Sequence, residues 1–358
     1  MSQILKLYTD RRYVNPNVGH LPLLYPFWGN CDSPSIDKGR FDEWTRVGTN
    51  YVSLVPINEC DGVLFPSGWR SCYTNFDDWR LDYRNAMELS AQAEKFGKKL
   101  LIFFNNDSDE DVPIPNSLIF RTSFYRSKRK EHEFALPGWA VDFQKKYPHI
   151  DFTVREKSPI PTVGYAGYVD YRNLLEWIKF IARRLRHPGN HRIGAHLRGI
   201  AIRRMLKSQK VLTKFLLRDG CLTGRADVQT REEYVKCILD SDYCLVTRGG
   251  GNFSYRLYEI LSCGRIPLLI DTDCVLPFDH ILDWKKICLW VDQTMIEAIA
   301  DIVWEFHLSL SEEEFKQMEH RARRVYEDWI SPTGFYSNIW RCIENEAAIN
   351  KQTGIEII

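Results

Sequence analysis

Residues 242–259 read DYCLVTRGGGNFSYRLYE. The apolar run 243–247 predicts a strand. Arg248 closes it, Gly249, Gly250 and Gly251 follow, and helical spacing begins near Asn252, predicting a helix over 253–263. Glycines let a backbone approach a ligand closely, and a helix N-terminus offers free N–H groups at the positive end of its dipole. Arg248 adds a forked cation that suits phosphate. Together these parts suit a diphosphate. Arg256 and Glu259 are i,i+3 neighbours, and a carboxylate at 259 can accept both hydroxyls of a ribose. The spacing is not GxGxxG, and no GxxxxGK[ST] occurs, which argues against a dinucleotide enzyme and a P-loop NTPase.

The same alternation extends outward. Strands are predicted over 163–168, 211–217, 266–270 and 287–291. Helices are predicted over 171–186, over 231–239 (capped by Thr230, with Glu233 at capping-box spacing) and from about 295 onward. In the first half, strands are predicted over 21–28, 50–57, 98–105 (KKLLIFFN) and 117–124, and a helix over 83–96, ending at Gly97. Short, nearly continuous apolar runs alternating with helices indicate parallel sheets. Two prolines in KSPIPT, residues 157–162, punctuate the chain between the two series. The length of 358 residues fits two α/β domains. Parallel sheets bind ligands at the carboxyl ends of their strands.

Residues 262–283, SCGRIPLLIDTDCVLPFDHILD, carry the reading further. Thr247-Arg248-Gly249, Ser254-x-Arg256-x-x-Glu259, Gly264-x-Ile266-Pro267 and Leu276-Pro277-Phe278 follow in order, and Gly164-Tyr165-Ala166-Gly167 with Arg172 precedes them. In this the chain resembles the exostosin-type glycosyltransferases. The family has a proline before the Arg-Gly pair, where this chain has Thr247. The resemblance implies an α/β GT-B fold of two facing Rossmann-like domains with parallel sheets. Residues 1–160 would bind the acceptor, 161–332 would bind the nucleotide-sugar donor, and a helix in 333–358 would cross back onto the first domain. It also implies an inverting transfer from a UDP- or GDP-sugar to a glycan or glycolipid hydroxyl. On this reading Arg248 neutralises the diphosphate, and Arg256 and Glu259 shape the nucleotide pocket. Gly164, Gly167, Arg172, Gly249, Gly250, Asn252 and Ser254 complete the donor side. A retaining transferase of the same fold and a non-catalytic nucleotide- or glycan-binding member are the alternatives.

Asp271-Thr272-Asp273 and the run DSDED over 107–111 look like DxD metal motifs. Arg248 and the helix end already supply positive charge, so no metal and no other cofactor is expected. An inverting transfer needs a general base on the acceptor side. Asp107, just after the predicted strand 98–105, is ranked first, ahead of Asp32, Glu133 and Asp142. Arg121 and Arg126 are candidates for contact with phosphate or an anionic acceptor, with Glu133 beside them.

Composition bounds the rest. The chain is 44% hydrophobic and 27% charged, which suits a globular core. The net charge of +1 implies no polyanionic partner, and no nucleic acid is expected. Residues 177–218 hold twelve Lys or Arg and no acid. This window reads as solvated helix faces or as a peripheral contact with anionic lipid. The ten cysteines form no CxxC pair. With no apolar leader and no run of about 18 apolar residues, a cytoplasmic setting is the expectation.

Overall fold

The computed structural model describes residues 4–32, 37–169, 193–218 and 227–344. Two all-parallel sheets organise them. The first holds β1 (Leu5–Tyr8), β2 (Val52–Leu54), β3 (Gly62–Leu64), β4 (Leu100–Phe104), β5 (Ser117–Arg121) and β6 (Glu133–Ala135) in the order β2-β1-β3-β4-β5-β6. The second holds β7 (Thr162–Tyr168), β8 (Leu212–Arg218), β9 (Tyr243–Val246), β10 (Ile266–Asp271) and β11 (Leu289–Asp292) in the order β11-β10-β9-β7-β8. The α/β class with parallel sheets is therefore as expected.

Burial on both faces explains the apolar runs. In β4, Leu101 and Phe103 join one cluster with Trp44, Phe120 and Tyr336, while Leu100, Ile102 and Phe104 join another with Phe65, Trp69 and Leu89. Alternate side chains thus serve opposite faces, as the pleat requires. The helix Phe76–Lys95 begins on the Asn75 side chain, which accepts from the Asp78 N–H. Gly97 follows it at φ +64°, a left-handed residue that glycine adopts without penalty.

Several local expectations need correction. Residues 21–28 are not a strand but a 3-10 turn, Pro22–Leu24, running into a short helix, Tyr25–Trp28. Pro22 occupies the first helical position, where its missing N–H costs nothing, and a short apolar run does not by itself separate strand from buried helix. The helix predicted over 231–239 starts earlier, as Val228–Leu239, and its cap is Asp227 rather than Thr230. The helix after the three glycines is Tyr255–Ser262, so Asn252 lies outside it. Strands β1, β3 and β6 are too short to stand out by pattern. The helix predicted over 171–186 and Arg172 lie outside the described residues.

Within the basic window, the helix Ile193–Lys207 buries Leu197, Ala201, Ile202 and Met205 against the second sheet. Four cations of the window meet acids from outside it. Arg204 pairs with Glu297, and Lys210 lies 2.7 Å from Asp301. Lys214 and Arg218 pair with Asp240 and Glu233. Among the described residues no helix is long and apolar enough to cross a membrane.

The two sheets share a seam. Phe278, with Phe335, Tyr336 and Ile339 from the helix Pro332–Asn338 and the residue after it, packs into the cluster that also holds Leu7, Phe103 and Phe120 of the first sheet. Tyr125 forms an antiparallel bridge with Cys274, and the Arg126 N–H donates to the Asp273 carbonyl at 2.8 Å. The chain after β5 and the chain after β10 are thus fixed to each other.

Candidate functional site

The chain after β4 and β5 in the first sheet meets the chain after β9 in the second. Where β9 stops, Arg248 is 7% exposed. Its guanidinium donates to the Tyr125 hydroxyl at 2.7 Å and to the Gly250 carbonyl at 3.3 Å. The following glycines lie directly on the first domain. A Cβ on Gly250 would come 2.3 Å from Oδ2 of Asp107, and one on Gly251 would come 2.8 Å from the Asp107 Cα. At Gly251 the neighbour is backbone, so no larger residue fits that approach. The structure therefore brings Asp107, exposed after β4, against the loop that carries Arg248.

The adjoining wall is built from arginines and tyrosines. Arg256 donates to the Ala166 carbonyl at 2.7 Å and stacks 4.2 Å from the Tyr165 ring centre. Gly167, at φ +151°, leaves room for it: a Cβ there would lie 2.8 Å from the guanidinium. Arg231 reaches Glu259 and Asp37, each at 2.8 Å. Both Arg231 and Arg256 flank the Tyr234 ring. The Tyr234 hydroxyl donates to the second oxygen of Glu259 at 2.6 Å. Burial first, and the charge of Glu259 next, raise this phenol well above its ordinary value, so it stays a donor. Arg198 completes the wall, donating to the Thr247 hydroxyl at 3.0 Å and to the Tyr168 carbonyl at 2.8 Å.

Two features of this wall point to an anion. Among the described residues, the buried Nε atoms of Arg231, Arg248 and Arg256 have no hydrogen-bond partner. A buried donor left unmade costs about 1–3 kcal/mol. Among the described residues, the guanidiniums of Arg231, Arg248 and Arg256 hydrogen-bond two carboxylates, Asp37 and Glu259, both through Arg231. Such an excess is costly without a ligand of negative charge.

Other expected residues sit elsewhere. Arg256 and Glu259 do not pair with each other, since the first bonds Ala166 and the second bonds Arg231 and Tyr234. Gly164 is buried in β7 and faces the turn before β9. A Cβ there would come 2.2 Å from Ser241 Oγ, so its glycine serves sheet packing rather than phosphate. Gly164→Ala is expected to cost about 2 kcal/mol through overpacking, read as a lower melting temperature by circular dichroism. Asn252 is 1% exposed and acts as a strap. Its amide donates to the Phe124 and Thr272 carbonyls, and its N–H donates to Ser123 Oγ, tying the two domains together. Gly249 closes the loop through its N–H to the Phe253 carbonyl, and Ser254 stands at the cap of the helix Tyr255–Ser262.

Arg121 and Glu133 are corrected as ligand contacts. Their ion pair at 2.7 Å is buried, with Arg121 2% exposed. The remaining Arg121 donors reach the Ser123, Ser108 and Glu110 carbonyls, so the pair braces the loop bearing Asp107 from beneath. Arg126 lies on the far side of the seam, on Asp271 at 3.0 Å and the Cys274 carbonyl. Asp273 accepts from the Ser127 N–H. Both carboxylates of the DxD-like pair are thus committed to the seam. Asp142 is held by Arg323 at 2.8 Å, and Asp32 lies 3.6 Å from Arg40.

Sequence reasoning missed Tyr125, Arg231, Tyr234, Asp37 and Tyr255. Tyr255 packs on Gly138, where a Cβ would come 2.9 Å from its ring. Nothing local to these residues marks them. Each acts through a partner far away in the chain.

Residues 198–306 match the family model of the Exostosin GT47 domain. Exostosin-1 of Drosophila melanogaster is 37% identical over 84 residues, 22% of this chain and 11% of that protein. The probable arabinosyltransferase ARAD1 of Arabidopsis thaliana is 23% identical over 149 residues, 40% of this chain and 33% of that protein. Each match thus spans a third or less of the relative's own length. Among solved structures, that of TarM is similar at 10% identity with a TM-score of 0.33, over 73% of this chain and 58% of that one. This stretch is similar to the exostosin-like glycosyltransferases.

Proposed function

From an exostosin-like stretch that begins at Arg198 itself, we propose that the chain is an inverting, metal-independent glycosyltransferase using a nucleoside-diphosphate sugar. The observation that carries this reading is the wall of Arg231, Arg248 and Arg256, whose buried Nε atoms lack partners among the described residues. The diphosphate of the donor would take those donors. Glu259, oriented by Arg231 and Tyr234, has lone pairs left for ribose hydroxyls. Asp107 would take the proton of the acceptor hydroxyl as its oxygen attacks the anomeric carbon. The bond from that carbon to the β-phosphate oxygen breaks, and the nucleoside diphosphate leaves onto the arginines. Preorganised cations at the leaving group are worth more in a water-poor site than in solution. The arginines supply the role that a divalent cation would otherwise fill.

The test is binding of UDP-, GDP- and CMP-sugars in the presence of EDTA, read by ligand-observed NMR. Binding of one nucleoside diphosphate class is expected. Binding only after Mn²⁺ is added would overturn metal independence. No binding under either condition would sink the donor-site reading.

A further inference from the structure

The turn between β3 and the helix Phe76–Lys95 lies beside the loop that carries Asp107. The Trp69 N–H donates to the Phe103 carbonyl of β4 at 2.8 Å, and the Cys72 N–H and thiol both donate to the Glu110 carboxylate at 3.2 Å. Phe103 precedes Asp107 in the chain and Glu110 follows it, so the turn is tied to both ends of that loop. It stands after β3, at the carboxyl edge where parallel sheets take ligands. Its backbone is held from within. Buried Ser71 accepts at its hydroxyl from the Tyr73 N–H, and at its carbonyl from the N–H groups of Thr74 and Asn75.

Three residues of this turn point to a ligand. A Cβ on Gly68 would meet nothing within 4 Å, so the chain borders open space there. The Arg70 side chain is half-buried, its Nε is shut in without a partner, and its fork makes no hydrogen bond or ion pair among the described residues. The Tyr73 ring is 84% exposed and, among the described residues, meets no other ring and no cation. A ring presented on a turn already fixed loses little freedom when a ligand covers it. The neighbouring loop carries Asp107, Asp109 and Glu110, none of which pairs with a cation among the described residues, so an added anion gains little at Arg70. The hydroxyl oxygens of a sugar accept from such a fork, and its C–H face covers a tyrosine ring.

We infer that the turn over residues 68–73 is the acceptor platform. It holds one sugar of a neutral glycan chain, stacked on Tyr73 with its hydroxyls on Arg70, so that a hydroxyl of the adjoining sugar reaches Asp107. The inference rests on the glycosyltransferase reading for the identity of that chain. The acceptor then approaches Asp107 from the first domain, while Gly250 and Gly251 close on it from the second.

The experiment titrates the full chain with neutral cellohexaose, xylohexaose and the hexamer of N-acetylglucosamine, and with anionic hexagalacturonate, by saturation-transfer NMR. Affinity for UDP and GDP is measured on the same samples. A neutral probe is expected to bind more tightly than hexagalacturonate. Tyr73→Ala and Arg70→Met should each weaken that binding about tenfold, with nucleotide affinity unchanged. Gly68→Leu fills open space at a residue whose backbone accepts a side chain, so it should keep the melting temperature and nucleotide affinity and lose the glycan. Undiminished glycan binding in Tyr73→Ala and Gly68→Leu, a preference for hexagalacturonate, or no glycan binding by protein that takes up nucleotide would each overturn the inference. Glycan binding that depends on Tyr73 in a protein that takes up no nucleotide would leave the platform standing and remove the transferase reading.

Discussion

Arg248→Met is expected to lower kcat/KM for transfer by about a thousandfold and nucleoside-diphosphate affinity by about a hundredfold, without lowering the melting temperature. The pairing of these effects follows from the site. Arg248 is buried on a tyrosine hydroxyl and a backbone carbonyl. Among the described residues no carboxylate pairs with it, and its Nε has no partner. A charge in that position costs the empty fold free energy, and replacing it with an apolar side chain of similar volume is often neutral or stabilising. A residue that burdens the free protein is of use only when something else is bound. The loss on turnover should exceed the loss on binding, because charge on the leaving diphosphate grows as the glycosidic bond breaks. Interactions that strengthen in the transition state appear in kcat. Calorimetry against the nucleoside diphosphate, steady-state kinetics and thermal melting separate the possibilities. A melting temperature lower by many degrees with unchanged nucleotide affinity would make Arg248 a structural residue and leave the arginine wall without its centre.

How far the sequence reveals this site depends on how local each part is. Arg248, the glycines, Arg256 and Glu259 lie on one strand-loop-helix stretch. Such a stretch carries its own geometry, because the strand end and the helix start fix where its side chains point. Their partners are another matter. Tyr125 meets Arg248 across 123 residues of chain, and Asp37 meets Arg231 across 194. No spacing rule joins residues so far apart. Arg121 and Glu133 show the converse error. In the sequence they are charges near a predicted ligand edge, and only packing reveals a buried pair that holds the Asp107 loop. Gly164 and Gly167 belong to one motif, yet the first makes room for Ser241 and the second for Arg256. The motif marks glycine at both, for two unrelated contacts. The sheets are the most legible part, because β4 and β10 are buried on both faces and announce themselves as apolar runs.

The second large effect belongs to Asp107. Asp107→Asn is expected to reduce kcat by about a thousandfold, within the span typical for loss of a general base, while donor affinity stays within about twofold. The substitution keeps the size of the side chain and its polarity but removes the ability to take a proton at neutral pH. Asp109→Asn is the control. Asp109 is exposed in the same acidic run, two residues on, so a field effect of the run would appear in both variants, whereas general-base loss appears only at 107. Gly250→Ala separates chemistry from placement. An alanine methyl would come 2.3 Å from the Asp107 carboxylate oxygen, so one of the two must move. The carboxylate is kept but displaced, and kcat should again fall, by about tenfold to a hundredfold given how steeply rate depends on position. Equal activity in Asp107→Asn and the unaltered chain would exclude the carboxylate as the base. A fall in Gly250→Ala alone would then mean that the loop needs its close approach to the first domain for a reason other than proton transfer.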